Sequence, residues 1–158
     1  MPTERLPRYP LWRKLGIREG GALALVGAPL GFEVPDLPAG VTVRHSASGP
    51  ADLTVWFVPS RAILERRIAA MAPRARSSGL WIAWPKRTSP LATDLSDEIV
   101  RRTAIASGLV DFKVCAIDSD WSGLRFNLRS HDVGDKPEKG DSGDRIRDRR
   151  GGGITPPR

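Results

Sequence analysis

Lys86 leaves a strand-like run directly after two tryptophans, in LWIAWPKRTSPLATDL (residues 80–95). A lysine at such an exit can hold a phosphate or carboxylate, or act as a base when desolvated. Arg87 follows it, and Asp94 lies in the next loop or first helical turn, where it could face Lys86. The competing structural reading has the tryptophans packing and Lys86 pairing with an acid at the rim. Trp81 and Trp84 stand three apart, so on a strand they point to opposite faces and form no shared aromatic platform.

A second chemical cluster is VCAIDSDWSGL (residues 114–124), with Cys115, Asp118, Asp120 and Trp121. A cysteine nucleophile needs a nearby base and an electropositive setting. The only histidines are His45 and His131, and Cys115 sits inside a strand pattern where a small buried residue is the default. Asp118 and Asp120 are two apart in a turn, and turn chemistry accounts for both without a metal. Two histidines and one cysteine do not make a zinc ligand set, and no metal site is expected.

The third place is GAPLGF (residues 27–32), after the first apolar run. A phosphate-cradling turn is GxGxxG, whose glycines allow a tight turn and close approach of backbone N–H groups. Gly27 and Gly31 are present, but Pro29 stands at the second glycine and brings no N–H. A ribose site wants an acid at the end of the second strand; the sequence has Arg44 and His45 there. Neither a GxSxG elbow nor a GxxxxGK[ST] loop occurs. For nucleic acid, the candidate face is Arg61, Arg66, Arg67, Arg74 and Arg76, a charge run that ordinarily forms a solvated helix face. The later RDRRGGG is a single RGG-like fragment.

The elements that must position these residues follow from period and punctuation. Residues 10–15 read as one helical turn stopped by Gly16. Strands are predicted over 22–27, 41–44, 53–58 and 80–84, the third the most β-branched and aromatic. Ser60 is a fitting N-cap for a helix whose Leu64, Ile68 and Met71 share one face. A second helix runs from about Asp97 to Ser107 and stops at Gly108. Residues 109–117 alternate, as do Leu124, Phe126 and Leu128, which predicts an antiparallel hairpin. Strands followed by helices and closed by a hairpin describe a single Rossmann-like α/β domain with a mostly parallel sheet and helices on its faces. Ligands of such sheets bind outside the carboxyl ends of the strands.

The chain has 158 residues, 40% hydrophobic and 27% charged, and a net charge of +7. From Arg129 onward stand 8 basic and 6 acidic residues, leaving 17 and 12 before it, a net of +5 spread along the chain. Residues 131–158 are almost free of apolar side chains and are expected to form a disordered charged tail behind a domain at 1–130. No apolar run reaches the ~18 residues of a membrane span. The charged first twenty residues lack the apolar stretch of a signal peptide, so a cytoplasmic protein is expected.

Five blocks together carry a resemblance: PLWRKLGI at 10–17, VGAPLGF at 26–32, LWIAWPK at 80–86, TDL at 93–95 and GLVDFKVCAIDSDWSGLRF at 108–126. Their succession resembles a family of small bacterial proteins, a domain of unknown function, over nearly the whole region 10–128. The resemblance implies a shortened Rossmann-like domain of the methyltransferase kind and no particular activity. The chain departs from methyltransferases at the GxGxG turn and at the acidic end of the second strand.

The leading expectation is a non-catalytic module binding a small anionic ligand or a protein partner, with no cofactor. Lys86, Arg87, Asp94, Asp118 and Trp121 are its ligand-binding candidates. The alternative is a divergent methyltransferase-like enzyme holding S-adenosylmethionine near Gly27, Gly31 and Arg44. A third reading is nucleic-acid binding through the arginine helix and tail.

Overall fold

Leu53–Phe57 and Gly79–Pro85 are buried along their whole length. Continuous apolar runs of this kind belong inside a sheet covered on both faces. The computed structural model describes residues 9–129, and the tail expected at 131–158 lies outside them. In chain order the elements are α1 (Leu11–Leu15), β1 (Ala22–Val26), β2 (Thr42–Arg44), β3 (Leu53–Phe57), α2 (Arg61–Met71), α3 (Arg74–Ser77), β4 (Gly79–Pro85), α4 (Asp97–Ala106), β5 (Leu109–Ala116) and β6 (Trp121–Leu128).

The six strands form one sheet in the order β2-β1-β3-β4-β6-β5. The first four are parallel, and β6 runs antiparallel to both β4 and β5. The mixed α/β domain expected from the pattern is therefore present, with a refinement: β6 is inserted between β4 and β5 instead of trailing at the edge. It also begins at Trp121, three residues before the alternation shows, and pairs Trp121 with Pro85.

Side-chain alternation divides the core in two. On one face Ala24, Val26, Trp56, Ile82, Trp84, Leu124 and Phe126 pack against Leu64, Ile68 and Met71 of α2 and Val100 and Ala104 of α4. On the other, Leu23, Leu25, Val55, Phe57 and Trp81 pack beneath α1 and the segment 28–41. Trp81 and Trp84 thus face opposite ways, as their spacing requires. The expected Ser60 cap is present, its Oγ accepting the Ile63 N–H, and Ser96, not singled out in the sequence, caps α4 in the same way by accepting the Ile99 N–H. Gly16 ends α1 in the left-handed region, at φ 91°.

The alternation of β5 does not translate into a buried face. A bulge between Asp111 and Lys113 breaks its register, and Val110, Phe112 and Val114 are left 40%, 51% and 62% exposed. Among the described residues no helix is long and apolar enough to cross a membrane.

Candidate functional site

The segment leaving β1 crosses to β2 over the α1 face, whereas α2, leaving β3, packs on the other face. The carboxyl ends of β1 and β3 are therefore the topological switch point, where open α/β sheets bind ligands. Gly27 stands there at φ 74°, and a Cβ on it would lie 2.8 Å from the Phe57 carbonyl oxygen. A side chain is excluded twice over, by conformation and by the approach of β3. Gly31 is also left-handed (φ 83°) but faces open space. Residues 27–41 contain turns and no helix, so the first strand is not followed by the helix N-terminus that cradles phosphate in dinucleotide folds.

A cavity of about 220 Å³ lies beside this exit, between the β1–β2 pair and the segment that joins them. Leu25, Phe32, Glu33, Val43 and His45 are among the residues that line it. Register explains the membership: Val43 pairs with Leu23 and shares its face, while Arg44 pairs with Ala24 and points to the opposite one. The Arg44 guanidinium instead lies alongside Gly49. Phe32 meets Phe57 edge-on at 4.9 Å, and Phe57 meets Trp121 edge-on at 5.1 Å, closing the floor behind the switch point.

The carboxylates expected to meet a ligand are engaged by the fold. Asp94 makes no ion pair with Lys86; its Oδ1 accepts the backbone N–H of Arg61 at 2.9 Å, in the first turn of α2. Asp118 Oδ1 accepts the N–H groups of Asp120 and Trp121, holding the turn into β6. Asp120 accepts from Ser89 Oγ at 2.8 Å, and the Lys86 N–H donates to the Asp120 carbonyl at 2.8 Å. Trp121 is a core residue, 7% exposed. Lys86 is half-buried and Arg87 exposed, and neither makes an ion pair among the described residues.

The arginine face is similarly divided. Arg61 pairs with Glu65 at 2.8 Å. Arg74 turns inward, donating from Nε to Thr54 Oγ1 at 2.9 Å and from its other nitrogens to the carbonyls of Ala47 and Gly49. Arg66, Arg67 and Arg76 remain exposed. Cys115 is half-buried, and desolvation pushes its thiol pKa up against the opposing pull of Lys14 and Lys113. That is the reverse of what a nucleophile needs.

The fold is shared with solved structures of low sequence identity. The chain is similar to a solved enzyme of a pericyclic reaction, with a TM-score of 0.50 and 12% identity, over 80% of this chain and 50% of that one. The same figures describe its likeness to LepI in complex with SAH and a substrate analogue. Fibrillarin of Methanococcus jannaschii, a pre-rRNA processing protein, aligns with a TM-score of 0.43 and 12% identity over 79% of this chain and 71% of that one. The chain spans about half the length of the first two. No protein-family model and no curated protein matches the sequence.

His45 and Glu33 line the cavity but are not among the site candidates of the sequence. His45 was visible as the residue after the second strand, but which neighbour of that pair faces the cavity depends on register. Glu33 reaches the cavity only through the path of the connecting loop.

Proposed function

We propose that this chain binds an S-adenosyl nucleoside at the exits of β1 and β2, which keeps the ligand of the methyltransferase-like alternative above but moves its contacts from Gly31 and Arg44 to the residues of the cavity. The observation that carries it is the cavity lined by Leu25, Phe32, Val43 and His45, between β1, β2 and the segment that joins them, in a sheet whose switch point lies at the end of β1. LepI, of the same fold, is described in complex with SAH.

The residues fit the nucleoside part of such a ligand. Leu25, Phe32 and Val43 offer apolar contact to a flat base, and Glu33 supplies a carboxylate for ribose hydroxyls in place of the absent acid on β2. The cavity lies below the ~300 Å³ at which whole-ligand pockets begin, so it takes the base while the rest of the molecule lies along Gly27 and Pro29. Pro29 provides no N–H there, and Gly27 lets the ligand approach the backbone. Bound S-adenosylmethionine would supply an electrophilic methyl group. The chain's own contribution is to bind and orient, because Asp94, Asp118 and Asp120 are committed to the hydrogen bonds described above.

A second reading keeps a non-catalytic module that binds a small anion or a protein partner at Lys86 and Arg87. It is favoured by these two cations standing at the carboxyl edge without an acid partner among the described residues. Membership of the bacterial family resembled belongs to the same proposal and rests on the sequence blocks.

Calorimetric titration with S-adenosylmethionine and its demethylated product separates the two. Saturable binding weakened by Glu33→Gln and His45→Ala, and indifferent to Lys86→Ala, supports the first. Absence of binding to either compound, with phosphate binding lost in Lys86→Ala, supports the second.

A further inference from the structure

At the opposite, amino end of the sheet lies a larger cleft of about 550 Å³, bordered by the segment 16–21, Asp52 and Arg125. Its volume falls within the ~300–1,000 Å³ of small-molecule sites.

Arg125 projects from β6 across from Trp81, and its guanidinium lies over Gly79 and Gly16. A Cβ at either glycine would lie 2.5 Å from a guanidinium nitrogen, so the fold leaves room for this side chain at the end of α1 and at the start of β4. The group is poorly compensated. Nη1 donates to the Leu15 carbonyl at 3.3 Å, an oxygen already accepting from Trp81 Nε1 at 2.9 Å. Nε is buried without a hydrogen-bond partner, and the guanidinium carbon sits 5.3 Å from the Phe112 ring centre. No carboxylate among the described residues lies within 4 Å of it. The charge that acts on it is another cation, Arg18, which also borders the cleft. Burial and Arg18 both push the Arg125 pKa down, burial more strongly. The acids of the cleft are Glu19, which is exposed, and Asp52, whose Oδ2 is taken by the Ala22 N–H at 2.7 Å.

A half-buried, unpaired cation beside a like charge is costly, and an isosteric apolar residue would be cheaper for the fold. We propose that the amino-end cleft is an oxyanion site, in which Arg125 and Arg18 together hold a carboxylate or phosphate group of a small molecule. The guanidinium fork suits both groups geometrically. This site is separate from the one at the β1–β2 exits and stands or falls apart from it.

The experiment is thermal unfolding of the full chain at fixed ionic strength, titrated with inorganic phosphate, with succinate, and with chloride as control. The expected result is a saturable rise in Tm with phosphate or succinate and none with chloride; whichever works identifies the group. Arg18→Glu, an exposed substitution, is expected to weaken the apparent Kd by about tenfold. Arg125→Met is expected to abolish the response while unfolding no earlier than wild type without anion. The proposal is overturned if neither anion gives a saturable shift, or if Arg18→Glu binds as tightly as wild type, the latter being decisive even where Arg125→Met fails to fold.

Discussion

Asp94 accepts the backbone N–H of Arg61 at 2.9 Å, so a carboxylate from the β4–α4 loop sits on the first turn of α2. The helix N-terminus that could attract an anionic ligand is already served by the protein itself. Asp94→Ala is expected to cost about 1 kcal/mol of stability and to leave S-adenosyl binding unchanged. Denaturant unfolding and calorimetry on one variant check both halves, and a lost affinity without lost stability would return Asp94 to the ligand site.

Arg74 was attractive as part of a basic face, yet its fork ties the 45–51 segment to Thr54, a fully buried residue. Arg74→Met leaves the Thr54 hydroxyl and two carbonyls short of a donor, and should destabilise by roughly 2 kcal/mol. Chemical denaturation measures it. Arg66→Met, on an exposed side chain, should fall within about 0.5 kcal/mol of wild type in the same assay.

These two residues also show what could be read in advance. The strands, both long helices and the Ser60 cap follow from local chemistry: apolar runs, a 3.6-residue period at Leu64, Ile68 and Met71, and stops at Gly16 and Gly108. What local pattern does not encode is pairing. The insertion of β6 between β4 and β5 is a nonlocal choice, and it brings Arg125 against Gly79. The alternation of Leu124, Phe126 and Leu128 says nothing of where the intervening Arg125 ends up. Helix α3 has no apolar period to announce it. The engagement of Asp94 and Arg74 by distant backbone is likewise invisible until the loops are placed.

Gly27 is constrained by both its φ of 74° and the Phe57 carbonyl 2.8 Å from its would-be Cβ. Gly27→Ala should cost about 2 kcal/mol or more, whereas Gly31→Ala, with open space around it, should pay only the conformational part, about 1 kcal/mol. Thermal unfolding of the two variants side by side tests the difference, and equal losses would remove the close β1–β3 approach from the account.

Cys115 carries a pKa raised chiefly by burial. A folded-state value above the unfolded one means its contribution is present in full below the unfolded thiol pKa of about 8.5 and is lost as pH rises through the folded value. Wild type should therefore lose more stability than Cys115→Ala between pH 7 and pH 10. Alkylation at neutral pH should be slower than for a free thiol in unfolded chain. Parallel pH profiles for the two proteins would contradict the assignment.

The central claim is that the β1–β2 exits hold an S-adenosyl nucleoside. Its most direct test is heteronuclear NMR of the labelled protein during titration with the demethylated product of S-adenosylmethionine. The account predicts saturable shifts concentrated at Gly27, Phe32, Glu33, Val43 and His45, with Lys86 and Arg125 unmoved. Shifts confined to Lys86 and Arg87, or a spectrum unchanged at saturating ligand, would contradict it.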